Sequence, residues 1–321
     1  MTQTMELPQA ERVRFPGLSS AAIEHPADRA ALEVLRRTFG VDRVLRQLSN
    51  LSGERFLRIL FTGDAVRVSP KQAPSIYADL QEACAILDVK EPELYLMQDP
   101  RPNAFAFGMK KYTIVMTTGL VELLTPEERL AVIGHELGHI KAEHMVYRTM
   151  AIIIARLMNE VIGSITPLGS LLSSAMLYAL FVWFRRSELT ADRAGLLTVQ
   201  NESVCIMALL KLAGGSPKLS SELDPDEFAL QADQFEDLDE SWVSLYYKYL
   251  MVQHQTHPFP ALRARELKEW AASDSYRKLL RGDYPHADPD AGRRTCPTCG
   301  SVVTNVTWKF CQECGAELPT V

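Results

Sequence analysis

The sequence predicts a mainly helical α+β fold with one small β-sheet, followed by a small separate module at the C-terminus. Three observations carry this. Apolar residues recur at helical spacing in several long segments. Only short runs, Leu57 to Val68, Leu94-Tyr95-Leu96 and Tyr112 to Met116, are rich in strand formers. Four of the six cysteines fall between Cys296 and Cys314, after a stretch rich in proline and glycine.

Length and composition agree. At about 150 residues per domain, 321 residues suggest more than one unit. A hydrophobic fraction of 47% with 23% charged residues excludes a disordered chain and a small disulfide scaffold. A net charge of -6 with no basic face argues against nucleic acid as a partner. Met1 to Pro16 carries charges and lacks an apolar core, so no secretory signal is expected. The expected location is the cytoplasm, or the cytoplasmic face of a membrane.

The elements follow in order. Residues 1–26, with Pro8, Pro16 and Pro26, read as an extended lead-in. Within it, His25-Pro26 is either a turn or a segment folded near a functional site. From Ala27 to about Leu48 the apolar positions are helical, with a break near Gly40. Ser75 to Leu87 reads as a helix. Asn103 to Gly108 alternates between the two later strands. Thr125, Pro126 and Glu128 then make a strong helix start: an N-cap, a proline at the first position and a capping box. The acidic stretch Ser220 to Glu240 reads as a solvated loop or helix face. A main domain is expected over 27–280, a linker over 281–295 and a cysteine module over 296–316.

The helix that starts at Thr125 carries His135-Glu136-Leu137-Gly138-His139, the H-E-x-x-H pattern. Positions i and i+4 share one helix face, so both imidazoles can take adjacent corners of a zinc tetrahedron, and Glu136 can reach a zinc-bound water. With seven histidines in the chain, a chance match is rare. A catalytic zinc needs a third protein ligand. The extended pattern H-E-x-x-H-x-x-G-x-x-H fails, with Ala142 at its glycine and Met145 at its third histidine, and His144 is off the face, so it reads as a surface histidine. The better candidate is Glu188 in Ser187 to Ala194, a second helix with Glu188 and Asp192 at i and i+4. Glu188 could complete a two-histidine, one-glutamate site, with Asp192 orienting a ligand imidazole. Gly138, inside a helix, would let backbone or substrate approach closely.

These motifs resemble the zinc metallopeptidases of the HtpX-like and CAAX-prenyl-protease-like family, a gluzincin group. H-E-x-x-H on one helix followed by E-x-x-x-D on a later one marks that family. Pro102 to Ala106 resembles its N-A-F-A edge segment, Thr113 to Leu120 its strand and turn before the motif helix, and Thr256-His257-Pro258 with Arg263 its late H-P segment. The resemblance covers about Ile76 to Leu267. It implies a gluzincin-type domain whose small sheet lines the cleft, and a zinc-dependent endopeptidase. His135, His139 and Glu188 would hold zinc, and Glu136 would be the general base. A protein or peptide substrate would add as an extended strand at Asn103, Ala104, Phe105 and Ala106. His257 would stabilise the oxyanion, or serve only as a turn residue before Pro258. The alternative is a non-catalytic adaptor or membrane-surface protein with a metallopeptidase-like body. Intact Glu136 argues against it.

Met150 to Phe184 is the most apolar part, uncharged from Val161 onward. One membrane crossing would put His139 and Glu188 on opposite sides. A hairpin turning near Gly163 to Gly169 has arms of about 15 residues, roughly 22 Å, against a hydrocarbon core of about 30 Å. Three readings stay open: a hairpin packed on the domain, a shallow insertion into a membrane surface, or an interface with another protein. Arg148, Arg185 and Arg186 would keep both ends on the cytoplasmic side.

At the C-terminus, Cys296-Pro297-Thr298-Cys299-Gly300 and Cys311-Gln312-Glu313-Cys314-Gly315 are two C-x-x-C-G knuckles. Each glycine allows the turn that aims two sulfurs at one metal. Val302, Val303, Val306 and Trp308 suit a short hairpin between them. A zinc ribbon with a closed, structural four-thiolate site is expected, a second Zn2+ beside the catalytic one.

Overall fold

The computed structural model describes residues 12–39, 61–108, 111–145, 147, 167–236, 259–287, 294–303, 310–311 and 313–318. The expected oxyanion residue His257, the strand formers Leu57 to Leu60, the hairpin residues Val306 and Trp308, and the first arm of the apolar segment with residues 163–166 of its turn lie outside them; Pro167 to Gly169, the rest of that turn, are helical.

The N-terminal segment is packed rather than a loose lead-in. Phe15, Leu18 and Ile23 are buried in the main core. Helix α1 (Ser20–Ile23) is capped by Ser19, and α2 (Pro26–Phe39) follows. His25 settles as a structural turn close to the site: its Nδ1 accepts from the Ala27 N–H, and its own N–H donates to Thr190 Oγ1 at 3.0 Å.

A four-stranded sheet comes next, with β1 (Val66–Arg67), β2 (Glu93–Met97), β3 (Ala104–Phe107) and β4 (Thr113–Thr117) in the order β1-β2-β4-β3. The β2–β4 pair is parallel and the outer pairs are antiparallel. In the described part of the expected strand Leu57 to Val68, Val66–Arg67 pairs with β2 and Val68 N–H donates to the Leu94 carbonyl, while Phe61 to Asp64 is a helical turn. The aromatic content there serves packing instead. Phe61 stacks 5.0 Å from Phe107 and 6.0 Å from Phe105, covering one face of the sheet. Strict alternation in β3 sends Ala104 and Ala106 to the helical core on the other face. Helix α3 (Pro74–Leu87) packs on that side.

After a short α4 (Thr118–Leu123) comes α5 (Pro126–Lys141). The capping box forms as expected: Thr125 Oγ1 accepts from the Glu128 N–H, and Glu128 Oε2 accepts from the Thr125 N–H at 2.8 Å. Nearly all of α5 is buried. It lies against α6 (Pro167–Val199), and the contact is made of small residues. A Cβ at Gly138 would sit 2.6 Å from the Ala194 Cβ, and one at Gly134 would sit 2.2 Å from Thr198 Oγ1. Gly138 therefore serves the approach of a neighbouring helix. Helices α7 (Glu202–Gly214), α8 (Pro225–Glu236), α9 (Pro260–Ala272) and α10 (Asp274–Leu280) close the domain. The acidic segment is mostly an exposed helix, α8, as one of the two readings had it. A buried ion pair, Lys211 Nζ to Glu128 Oε1 at 2.8 Å, ties α7 to the start of α5. Among the described residues, no helix is long and apolar enough to cross a membrane.

The cysteine module has a two-stranded antiparallel sheet, β5 (Arg294–Thr295) and β6 (Val302–Val303). Val302 and Val303 thus pair with the residues before the first knuckle.

Candidate active site

The close crossing of α5 and α6 places the chemistry. His135 and His139 rise one turn apart from α5, and Glu188 faces them from α6 with no exposed surface. His135 Nε2 lies 3.5 Å from Glu188 Oε2, and His139 Nε2 lies 3.2 Å from Glu188 Oε1. All three potential ligand atoms fall within 4.8 Å of one another. Zinc–nitrogen bonds of about 2.05 Å at tetrahedral angles put ligand atoms about 3.3 Å apart, so the donor set fits zinc in both chemistry and spacing. Glu136, only 1% exposed, borders a cavity of about 500 Å³ together with His135, Asn103, Ala104, Leu209 and Arg263.

Each histidine has its own support. Asp192 Oδ1 lies 3.0 Å from His135 Nδ1, the position expected of an orienting carboxylate. Asp192 is itself clamped by Arg263, whose Nε and Nη2 donate at 2.8 and 2.6 Å. Nη1 of the same guanidinium reaches Glu188 Oε2 at 3.3 Å. On the other histidine, His139 Nδ1 meets His144 Nδ1 at 2.9 Å, and His144 Nε2 meets Asp28 Oδ2 at 3.0 Å. His144 is 3% exposed, so it is not the surface residue its spacing suggests. The chain leaves α5 through Glu143 at φ 59, and this left-handed step abandons the helical register and folds His144 back under His139.

In the metal-free state the two imidazoles titrate in opposite directions. Burial opposes a proton on His135, but Asp192 and Glu188 outweigh it and push the pKa up to about 9. At His139 burial wins over Glu188, with His135 and His144 adding to it, and the pKa falls to about 4. Asp192 is held below the usual carboxylate range: burial works against its charge, and Arg263 and His135 more than offset that.

The expected substrate edge is divided. Asn103 and Ala104 border the cavity, and β3 is an outer strand of the sheet. Phe105 packs against Phe61 on the far face, and Ala106 lies in the helical core.

Sequence reasoning missed Asp28, His144 and the clamp made by Arg263. Arg263 stood in a quoted motif with no role attached. Asp28 and His144 carried no local signal.

In the cysteine module the four sulfurs also lie within 4.8 Å of one another. Cys296 to Cys314 is 3.5 Å and Cys299 to Cys311 is 3.6 Å, far longer than disulfide bonds. The two knuckles have the same build. The Gly300 N–H donates to the Cys296 carbonyl and the Gly315 N–H to the Cys311 carbonyl, both at 2.8 Å, with the glycines at φ 70 and 72. Burial resists ionisation of the Cys311 thiol, yet hydrogen bonds from Ser301 and the backbone of Cys314 and Glu313 bring it down to about 6.

Comparison with known proteins agrees with this site. The profile of Peptidase family M48 matches residues 70–271. The plastoglobule-localized metallopeptidase 48, chloroplastic, of Arabidopsis thaliana is 35% identical over 271 residues, 83% of this chain and 77% of that protein. A protease HtpX homolog of Moorella thermoacetica is 29% identical over 185 residues, 50% of this chain and 62% of its own length. Protease HtpX homolog 2 of Methanosarcina acetivorans is 28% identical over 186 residues, 51% of this chain and 63% of its own. The chain thus spans somewhat less than two thirds of these two HtpX homologues. The crystal structure of S. mikatae Ste24p matches 74% of this chain and 57% of that one at 17% identity, with a TM-score of 0.37, a likeness too slight to bear on the fold. The profile covers well over half the chain and includes both helices that carry the histidines and the glutamate. The chain therefore belongs to peptidase family M48 and is a zinc metalloprotease.

Proposed function

We propose that this metalloprotease is an endopeptidase in which His135, His139 and Glu188 hold the zinc and Glu136 is the general base. The observation that carries the reading is the convergence of the three side chains, their ligand atoms within 4.8 Å of one another, beside Glu136 at a cavity wall. The chemistry a bound zinc supplies is polarisation of the scissile carbonyl and acidification of the attacking water. Glu136 takes the proton from that water and delivers it to the leaving amine. Asp192, fixed by Arg263, holds the His135 Nδ1 proton so that Nε2 faces the metal. An extended substrate lies along Asn103 and Ala104, with backbone hydrogen bonds supplying affinity that tolerates varied sequence. Phe105 and Ala106 support that strand from its two faces. His257 is assigned to the oxyanion by its resemblance to the family's H-P segment.

The cysteine module is proposed to be a zinc ribbon with a closed structural site. Zinc–sulfur bonds of about 2.3 Å put tetrahedral sulfurs about 3.8 Å apart, close to the distances found.

The test is zinc content together with casein hydrolysis, on the wild type and on Glu136→Gln. Two zincs per chain in both proteins, with hydrolysis by the wild type alone, is the expected result. Two zincs and no hydrolysis by either would favour the adaptor. One zinc per chain, retained in Cys299→Ser, would remove the ribbon.

A further inference from the structure

We propose that Asp28, in the N-terminal helix α2, is a positioning residue for the metal ligand His139 and acts through His144. Asp28 lies outside the residues 70–271 matched by the family profile. It is 1% exposed and reaches the site across 116 positions of chain to His144.

The hydrogen atoms can be assigned in only one way that serves a metal. His139 must present a bare Nε2 toward Glu188 and the ion, so its proton sits on Nδ1. That N–H donates to His144 Nδ1 at 2.9 Å, which makes His144 Nδ1 the acceptor and puts the His144 proton on Nε2. His144 Nε2–H then donates to Asp28 Oδ2 at 3.0 Å. The Asp28 carboxylate ends the chain and is fixed from two more directions. Trp183 Nε1, which can only donate, reaches Oδ1 at 2.9 Å. The Thr190 hydroxyl donates to Oδ2 at 2.6 Å. Thr190 lies on α6 between Glu188 and Asp192, so the helix that supplies the third ligand also anchors the relay.

Surroundings leave His144 little freedom to turn. Trp183 meets its ring edge-on at 5.6 Å, and His139 lies 5.2 Å away on the other side. A neutral imidazole between carboxylate and ligand does for His139 what Asp192 does directly for His135. The N-terminal segment is thereby part of the metal site.

This inference rests on the reading of His139 as a zinc ligand. The experiment is zinc affinity of the full-length chain by chelator competition, with the Co2+ absorption spectrum as a second readout. Thiolate charge-transfer bands separate any cysteine site from the histidine site. Asp28→Asn and His144→Leu should each weaken zinc about 10- to 100-fold, because loss of an orienting partner of a ligand histidine has that effect. The double variant should bind no more weakly than the worse single, since the two residues act in series. Thr125→Ala, which removes the helix cap and touches no member of the relay, should bind zinc like the wild type. Unchanged affinity in Asp28→Asn, or losses that multiply in the double variant, would overturn the relay. His139→Ala distinguishes the two readings. If it keeps wild-type affinity and spectrum, the ligand assignment fails and the relay with it. If it loses the ion while Asp28→Asn keeps it, only the relay fails. Should the Asp28 variants not fold, ¹⁵N-histidine spectra of the zinc-loaded wild type decide. His139 Nδ1–H with His144 Nε2–H is expected, and His144 Nδ1–H overturns the proposal.

Discussion

The two histidines of one motif stand a single helical turn apart and are supported in different ways. His135 borders the cavity and is held by charge: Asp192 against it, Arg263 against Asp192. His139 is fully buried and is held by rings: His144 at its Nδ1 and Phe184 stacked at 6.3 Å with an interplanar angle of 7°. The titration of the metal-free site follows the same division, with carboxylates winning at His135 and burial winning at His139. At the cavity wall burial works against every charge in the clamp, and the pairing of Asp192 with Arg263 and His135 offsets that cost. In a dry interior, a neutral relay moves the charge one ring farther from the metal, to Asp28.

The largest effect should come from breaking the charged side. Arg263→Met takes from the buried Asp192 carboxylate the guanidinium that donates to both its oxygens. Urea denaturation of the metal-free chain should show a loss of about 3–5 kcal/mol. A loss below 1 kcal/mol, on the order of a surface pair, would mean the clamp is solvated.

The neutral side should respond more mildly. Trp183→Phe removes one donor to the Asp28 carboxylate, and a hydrogen bond to a charged group contributes about 1.5–3 kcal/mol. The same denaturation measurement checks it. A cost equal to that of Arg263→Met would erase the distinction between the supports of the two histidines.

Next comes Asp192→Asn, which keeps the shape and removes the charge that orients His135. Zinc affinity should fall about 10- to 100-fold. Unchanged affinity by chelator competition would show that Arg263, rather than Asp192, sets the His135 geometry.

Thr125→Ala serves as the control that touches both histidines equally. Loss of the capping box should cost about 1 kcal/mol of stability. Zinc affinity relative to the wild type should not change, because the cap lies more than two turns from His135. A selective loss of zinc would couple the helix start to the site.

The smallest effect concerns thiols. Burial pushes Cys84 up to about 12, so at pH 8 roughly one molecule in ten thousand carries the thiolate. Iodoacetamide should leave the buried Cys84 unmodified in the native chain, while the exposed Cys299 reacts after chelator treatment. Mass spectrometry reads this directly.

Legibility in the sequence followed range. The helix start at Thr125 was readable because a capping box is written in four consecutive residues. His135, Glu136 and His139 were readable because a helix makes i and i+4 neighbours. The cysteine knuckles were readable for the same local reason, down to the left-handed glycines. Glu188 and Asp192 came from the i, i+4 rule on a second helix, joined to the first by resemblance. The strand formers from Leu57 were misread where described, because Phe61 covers the sheet without joining it.

The sequence by itself determined the histidine motif and the helix that carries it, since each rests on spacing within one element. Only the tertiary structure decided how each histidine is held. His144 was placed on the surface by helical counting, and one left-handed residue, Glu143, undid that count. Asp28 and Arg263 reach the site across 116 and 71 positions of chain, from helices whose own periodicity says nothing about zinc. Contacts of that range are set by how helices cross, and here the crossing is set by Gly134 and Gly138, where no side chain stands in the way.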